Sequence, residues 1–499
     1  MTEQRSSLNL KQETIVGVFW SYLSFFGGKI LTFLSTVILA RLLLPEQFGI
    51  VGYCLIAIQY LDILNSAGIN TALIAQREKL EEAANAAFVG NILLGIASFG
   101  LTWVLAPAVA GFFKTEEVIP ALRLLGLSLP LSGLGMVPDT LLQRRLNFKT
   151  RLVPEVGKNF TKGLVSIILA LLGMGVWSLV WGQLIGILAG TILAWILAGW
   201  KPTWSFHRET SLRVTTYGLS IVALEFIGAF RSNMDYLLVG RILGAAALGY
   251  YTMSYRIPEL LIRSLNTVVS RVSLPAMAIA QMEREQMRSF YFSYIRYIPL
   301  FVFPVSVGLA ITAPIFVPLF FSTKWNSAIT PTMLISLAMG IAAMSFIPGV
   351  LYKAIGKPEM LIKLNFVKVP LTVVILWYAT RWGINGVAAG QVAISIIALS
   401  IDMLTVNYVM RYSIKDLVQA LAPTFVSAFV MGVALWALLR LTLLSGVSAL
   451  ILMILLGALI YFAMLWWVKR EVIQSGINML RGKFVKPRTL VPAEVASDD

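Results

Sequence analysis

Val37–Ala57 reads VILARLLLPEQFGIVGYCLIA, and Tyr236–Tyr255, about two hundred positions later, reads YLLVGRILGAAALGYYTMSY. In both stretches an apolar run stops at a single arginine, turns through a few residues and resumes. Arg41 falls on Arg241, Leu43 on Leu243, Phe48 on Leu248 and Gly49 on Gly249. Pro45 suits the first turn of a helix, where its missing N–H costs nothing. Glu46 complements the positive end of that helix, and Gly49 permits close packing. Each copy is therefore read as a corner between two apolar helices, with a direct role for Arg41 at an outer gate as the alternative.

Two further matches occur in the same order. GVWSLVWGQL (Gly175–Leu184) pairs with GINGVAAGQV (Gly383–Val392) at an offset of 208, keeping both glycines and the Gly-Gln. VPDTLLQRRLNFKTR (Val137–Arg151) pairs with IPGVLYKAIGKPEML (Ile347–Leu361) at an offset of 210, anchored on Pro138 and Pro348. Constant order and nearly constant spacing argue for a duplicated lobe. An even number of spans in each half gives both halves one orientation, with their axis along the membrane normal, as in transporters that rock about a central site.

The composition agrees with a membrane chain: 58% of the 499 residues are hydrophobic and 13% charged, against roughly a quarter charged in soluble domains. One cysteine, Cys54, excludes a disulfide framework, and one histidine, His207, leaves no His/Cys metal cluster. No cofactor is expected. The N-terminus is polar and the apolar run that follows it lacks a small-residue cleavage site, which predicts an uncleaved first span. A span needs about 20 apolar residues. Fourteen stretches qualify: 14–40, 48–75, 86–112, 118–143, 152–173, 176–199, 214–240, 248–275, 290–321, 328–352, 359–380, 384–409, 417–439 and 446–468. The expected fold is an all-α polytopic membrane protein of about fourteen transmembrane helices. A six-helix lobe over 1–200 and a second over 201–410 would be related by a pseudo-two-fold axis. Two additional helices over 411–470 and a basic, disordered cytoplasmic tail over 471–499 complete the chain.

The net charge of +16 reads as topology. Loops on the side of the N-terminus hold 24 of the 40 basic residues, and the opposite side holds six, namely Arg41, Lys114, Arg241, Lys324, Arg381 and Arg440. Lysine and arginine collect in cytoplasmic loops, so both termini are expected in the cytoplasm. Nucleic acid is not needed to explain the basic balance.

LARLLLPEQFG followed by LDILNSAGINTALIAQRE resembles the opening of the polysaccharide transporter family, the Wzx-type flippases of the MOP superfamily. GVWSLVWGQL and IPGVLYKAIGKP are similar to the same family, and the chain looks most like its colanic-acid and teichuronic-acid exporters. The resemblance runs along essentially the whole chain. It implies a MOP/MATE-like fold around a central cavity and transport of undecaprenyl-pyrophosphate-linked repeat units in a bacterial inner membrane. It also implies membrane lipids, a polysaccharide polymerase and chain-length machinery as partners. It carries no strict catalytic signature.

Seventeen charged residues fall within the expected spans, among them Lys29, Lys158, Lys162, Arg231, Arg256 and Arg263 as bases and Asp62, Glu155, Glu225, Asp235 and Glu259 as acids. A charge near the bilayer centre costs several kcal/mol and normally faces a cavity or a partner. Arg256, Glu259 and Arg263 recur at i, i+3 and i+7, one helical face. They read either as an internal salt-bridge ladder or as a cationic wall in which Glu259 holds two arginines extended. Arginine binds pyrophosphate oxygens bidentately, so Arg256, Arg263, Lys162, Lys158, Lys29 and Arg231 are the candidate substrate-binding residues. Glu259, Glu225 and Asp62 are candidate supporting or ion-coupling carboxylates. Arg231 and Asp235, four apart, also look self-paired, and Asp62 reads as a proton or sodium site or as a partner for one of the cations. Tyr251, Tyr255, Trp177 and Trp181 read as interfacial belt residues or as the lining of a sugar path.

Three function classes are weighed. A lipid-linked oligosaccharide flippase fits a cationic cavity. A MATE-like exporter of cationic drugs fits the fold but calls for an acidic cavity, whereas intramembrane bases outnumber acids ten to seven. A membrane-embedded polymerase or phosphatase calls for a large outer loop or clustered His and Asp for acid–base work, and this sequence has short outer loops. The chain is therefore read as a transporter and not an enzyme.

Overall fold

The computed structural model describes residues 27–66, 80–144, 148–203, 208–263, 284–345, 359–441 and 446–480, with Leu73, Pro348, Leu351 and Tyr352. The start of the first expected span, Arg271 and the tail after 480 lie outside them. The described residues form helices throughout, and nine helical stretches among them are long and apolar enough to cross a membrane. The chain is a multi-pass membrane protein. By its contacts it divides into a first unit, Met1–Leu260 with Phe316–Ile335 and Leu364–Ile394, and a second, Leu261–Ile315 with Ser336–Lys363 and Ser395–Asp499.

In the first unit, α1 covers 27–42 and α2 runs Pro45–Ser66. Pro45 is the first helical residue, and Gln47 Oε1 reaches back to accept the Leu44 N–H at 2.9 Å, half of a capping box. The next helix, α3 (Leu80–Phe113), has no polar face. Its sides are distinguished by residue size instead. Ala84, Ala87, Asn91, Gly95, Ser98, Thr102, Ala106 and Ala110 form one buried face at helical spacing. Leu93, Ile96 and Val104 stay exposed. Small residues let membrane helices approach closely while large apolar ones meet lipid.

The span expected at 118–143 is two helices, α4 (Val118–Leu125) and α5 (Ser128–Arg144). Pro130 has no N–H to donate back to the Gly126 carbonyl, so the helix breaks there. Helices α6 (Phe148–Leu171) and α7 (Val176–Ala198) pack most intimately. Gly182, Gly186 and Gly190 of α7 lie on Lys162 and Lys158 of α6, where a Cβ on Gly186 would come 2.7 Å from the Lys162 Cβ. The chain continues through α8 (Arg208–Leu243) and α9 (Ala245–Pro258), which runs into a π-helical turn, Glu259–Arg263.

Then follow α10 (Arg284–Phe321), a 3-10 turn Thr323–Ala328, α11 (Ile329–Ala342), α12 (Glu359–Ala379), a 3-10 turn Thr380–Trp382 and α13 (Gly383–Met410). The last helices are α14 (Ile414–Leu441) and α15 (Gly446–Leu480). In the second unit Leu300, Ala428, Met431, Leu435, Met453, Tyr461 and Leu465 make a core. Tyr461 donates its hydroxyl to the Leu300 carbonyl at 3.0 Å.

Within the first unit the repeated corners make matching contacts. A Cβ on Gly49 would overlap the Ala245 carbonyl oxygen, and one on Gly249 would overlap that of Pro45, so α2 and α9 cross backbone to backbone. Arg41 donates to the Leu319 and Phe320 carbonyls at the end of α10. Arg241 donates to the Gly111 and Phe112 carbonyls at the end of α3. Each guanidinium thus covers carbonyls that the helix end leaves without partners. Lys114 and Ser322, just past those two helix ends, both take positive φ, 55° and 87°. Gly175, just before α7, and Gly383, the first residue of α13, do so at 53° and 66°.

Candidate functional site

Beyond the glycine crossing, α2, α8 and α9 enclose a cavity of about 140 Å³. Gly52, Leu55, Ile56 and Gln59 of α2 form one wall, and Asn233 and Tyr236 of α8 the second. Thr252, Tyr255 and Arg256 of α9, with Glu259 beyond, form the third. The two glycines of the crossing, with Gly52 against the Leu248 side chain, bring α2 and α9 close enough for these side chains to share one space.

The Arg256 guanidinium is half-buried, and its Nε is shielded from solvent with no hydrogen-bond partner among the described residues. An unpartnered buried donor is costly, and here it borders an open cavity. Lys162 of α6 lies near enough for its charge to act on that of Arg256, and Lys158, one turn away on α6, acts on Lys162. Glu259 is the carboxylate on the same wall. Arg256 and Lys162 together offer positive charge to an anionic group in this cavity. Asn233 holds the α2–α8 wall together, its Nδ2 donating to Gln59 Oε1 at 3.2 Å and to the Ala229 carbonyl at 2.9 Å.

Behind the cavity lies a network whose acid and tyrosines the sequence offered singly, and whose grouping with Gln391 it did not reveal. Asp235 is buried, and its Oδ2 accepts the Tyr251 hydroxyl at 3.0 Å, the Tyr255 hydroxyl at 2.9 Å and the Gln391 amide at 2.9 Å. Oδ1 accepts the Tyr236 N–H at 3.0 Å. Four neutral donors replace water around the carboxylate, so it stays inside with no ion pair among the described residues. The network ties α8, α9 and α13 together and fixes the Tyr255 ring beside Arg256.

This corrects two expectations. Asp235 takes its bonds from tyrosines and a glutamine rather than from Arg231, whose side chain is exposed. Tyr251 is fully buried and Tyr255 bonded to the network, so neither is a belt residue. The available signal was the Gly-Gln kept in both halves, since Gln391 belongs to it.

The other candidates scatter. Lys29 is exposed on α1, next to Gly28, which packs on Asn159 and Glu155 of α6. Glu225 is exposed and Asp62 half-buried. Arg263 is exposed and belongs to the second unit. The α-helical period behind the expected Arg256–Glu259–Arg263 face ends at Pro258, where the wider π turn begins.

A family model described as polysaccharide biosynthesis protein matches residues 38–330. The chain is 26% identical over 387 residues to a Klebsiella pneumoniae protein named as an uncharacterized membrane protein in the cps region, covering 77% of this chain and 80% of the other. It is 25% identical over 494 residues to the succinoglycan biosynthesis transport protein ExoT of Rhizobium meliloti, covering 96% and 97%. Among solved structures it is similar in fold to the lipid II flippase MurJ in an inward closed conformation, with a TM-score of 0.73 at 16% identity, over 91% of this chain and all of that one.

Proposed function

Because this chain belongs to the polysaccharide biosynthesis protein family, we propose that it carries lipid-linked oligosaccharide repeat units across the bacterial cytoplasmic membrane. The head group would be a pyrophosphate-linked glycan on an undecaprenyl lipid. On this reading the protein is a transporter rather than an enzyme, with both termini in the cytoplasm. Its fourteen helices form two six-helix lobes, 1–200 and 201–410, that alternate access about a cationic cavity, followed by two extra helices. A polymerase and chain-length machinery would take the product.

One observation carries the reading: Arg256 borders the cavity in the company of Lys162, with its Nε unpartnered among the described residues. A pyrophosphate supplies the oxygens that such a donor set lacks, and arginine can grip two at once. Lys162 adds attraction that pairs with nothing in a neutral ligand. The repeated corners support the two-lobe arrangement, since Arg41 and Arg241 engage equivalent carbonyls at an offset of 208, Gly111 with Leu319 and Phe112 with Phe320. A cation exporter would need the opposite sign in the cavity.

The test is export of surface polysaccharide in a strain deleted for this protein and rescued with wild type, Arg256→Ala or Arg256→Lys. Arg256→Ala should leave repeat units on the inner face while the protein stays folded in the membrane, and Arg256→Lys should rescue in part. Full export by Arg256→Ala would overturn the anion site. Normal polysaccharide in the deletion strain would overturn the substrate class.

A further inference from the structure

We propose that a second cavity of the first unit, about 490 Å³ in volume, is a binding site for uncharged sugar residues. This rests on the transporter reading and gives the glycan part of the cargo a site of its own.

The cavity sits at the end of the unit that holds the repeated corners, where α8, α9, the Thr323–Ala328 turn and α13 begin or end. Its chemistry is carried by Tyr250, Asn326, Ser327, Thr330, Trp382 and Asn385. Two carboxamides, two hydroxyls and a phenol each offer donors as well as acceptors. Sugar hydroxyls present the same mixed pattern and satisfy both. The Tyr250 and Trp382 rings supply apolar surface for the C–H face of a pyranose. Tyr250 is held edge-on against Trp325 at 5.8 Å, and Trp325 is anchored through Nε1 to the Ala40 carbonyl at 2.8 Å.

Charge is kept out of this cavity by commitment elsewhere. Three cations neighbour its lining in sequence. Arg241 donates to the end of α3, and Lys324 Nζ donates to the Arg41 carbonyl at 3.0 Å. Arg381 lies over the Tyr378 ring at 4.8 Å. None of the described lining residues is charged, in contrast to the Arg256 cavity. From Tyr250 to Arg256, six residues advance about 240° around α9, so the two cavities face different sides of that helix.

The experiment is saturation-transfer NMR on the full-length protein in detergent, using neutral di- and trisaccharides, glucuronate and inorganic pyrophosphate as probes. At least one neutral saccharide should bind, and Trp382→Ala and Asn385→Ala should each weaken it by about tenfold or more. Both side chains are exposed, and continued shielding of Cys54 from a thiol reagent checks that the variants are folded. Arg256→Ala should leave saccharide binding unchanged while removing pyrophosphate. Absence of saccharide binding to wild type, or binding that both cavity variants retain, overturns the sugar site. Loss of saccharide binding in Arg256→Ala instead also overturns it, by placing the sugar in the other cavity. Failure of pyrophosphate to bind wild type strikes the transporter reading separately.

Discussion

Replacing Gly49 by alanine should loosen the helix crossing on which the site is built. A Cβ there would overlap the Ala245 carbonyl oxygen, and the obstacle is backbone, which cannot rotate away as a side chain can. To reach ordinary contact, α2 and α9 must part by more than an ångström, which strips packing from both. Overpacking of this kind costs about 1–3 kcal/mol, and the backbone obstacle puts Gly49→Ala toward the upper end. Alanine's better helix propensity returns up to about 1 kcal/mol. Cys54, the chain's single cysteine, lies fully buried on α2 five residues on and reports the opening directly. In detergent, its reaction with a small thiol reagent should accelerate by roughly 5- to 100-fold, since 1.4 kcal/mol is a factor of ten. Gly249→Ala should do the same from the other side. The double variant should cost less than the sum, because one separation relieves both clashes. Gly100→Ala on α3, with nothing near its Cβ position, is the control and should not accelerate the reaction. Cys54 reactivity in Gly49→Ala and Gly249→Ala equal to that control would refute the reasoning.

Asp235→Asn sets an amide NH2 against hydroxyl and amide donors that need an acceptor, so thermal stability in detergent should fall by about 1–3 kcal/mol. An unchanged unfolding midpoint would mean that the four bonds to Asp235 do not hold α8, α9 and α13 together. If Glu259 supports the cation rather than binding the cargo, Glu259→Gln should weaken export less than Arg256→Ala; equal losses in an export assay would make Glu259 a direct participant. With Cys54 replaced by alanine, cysteines at Arg41 and Arg241 should both react with an impermeant reagent added outside the cell. Labelling from the cytoplasmic side alone would reverse the proposed topology.

The sequence by itself determined the membrane class, the helical character and the corner motif, because each is written in local terms. Apolar runs of spanning length, a proline at a helix start and a glycine where backbones meet need no knowledge of partners. Arg256 and Lys162 were legible as costly charges inside spans. Which charges share a cavity depends on helix rotation and crossing, and those are set by packing. Only the tertiary structure decided that Arg41 and Arg241 cover the ends of helices some 279 and 129 residues away. It alone set Asp235 among tyrosines instead of beside Arg231, four residues off. A span of low amphipathicity carries little information about which side faces a neighbour. The small-residue faces and the glycine crossing supply that choice when the helices meet.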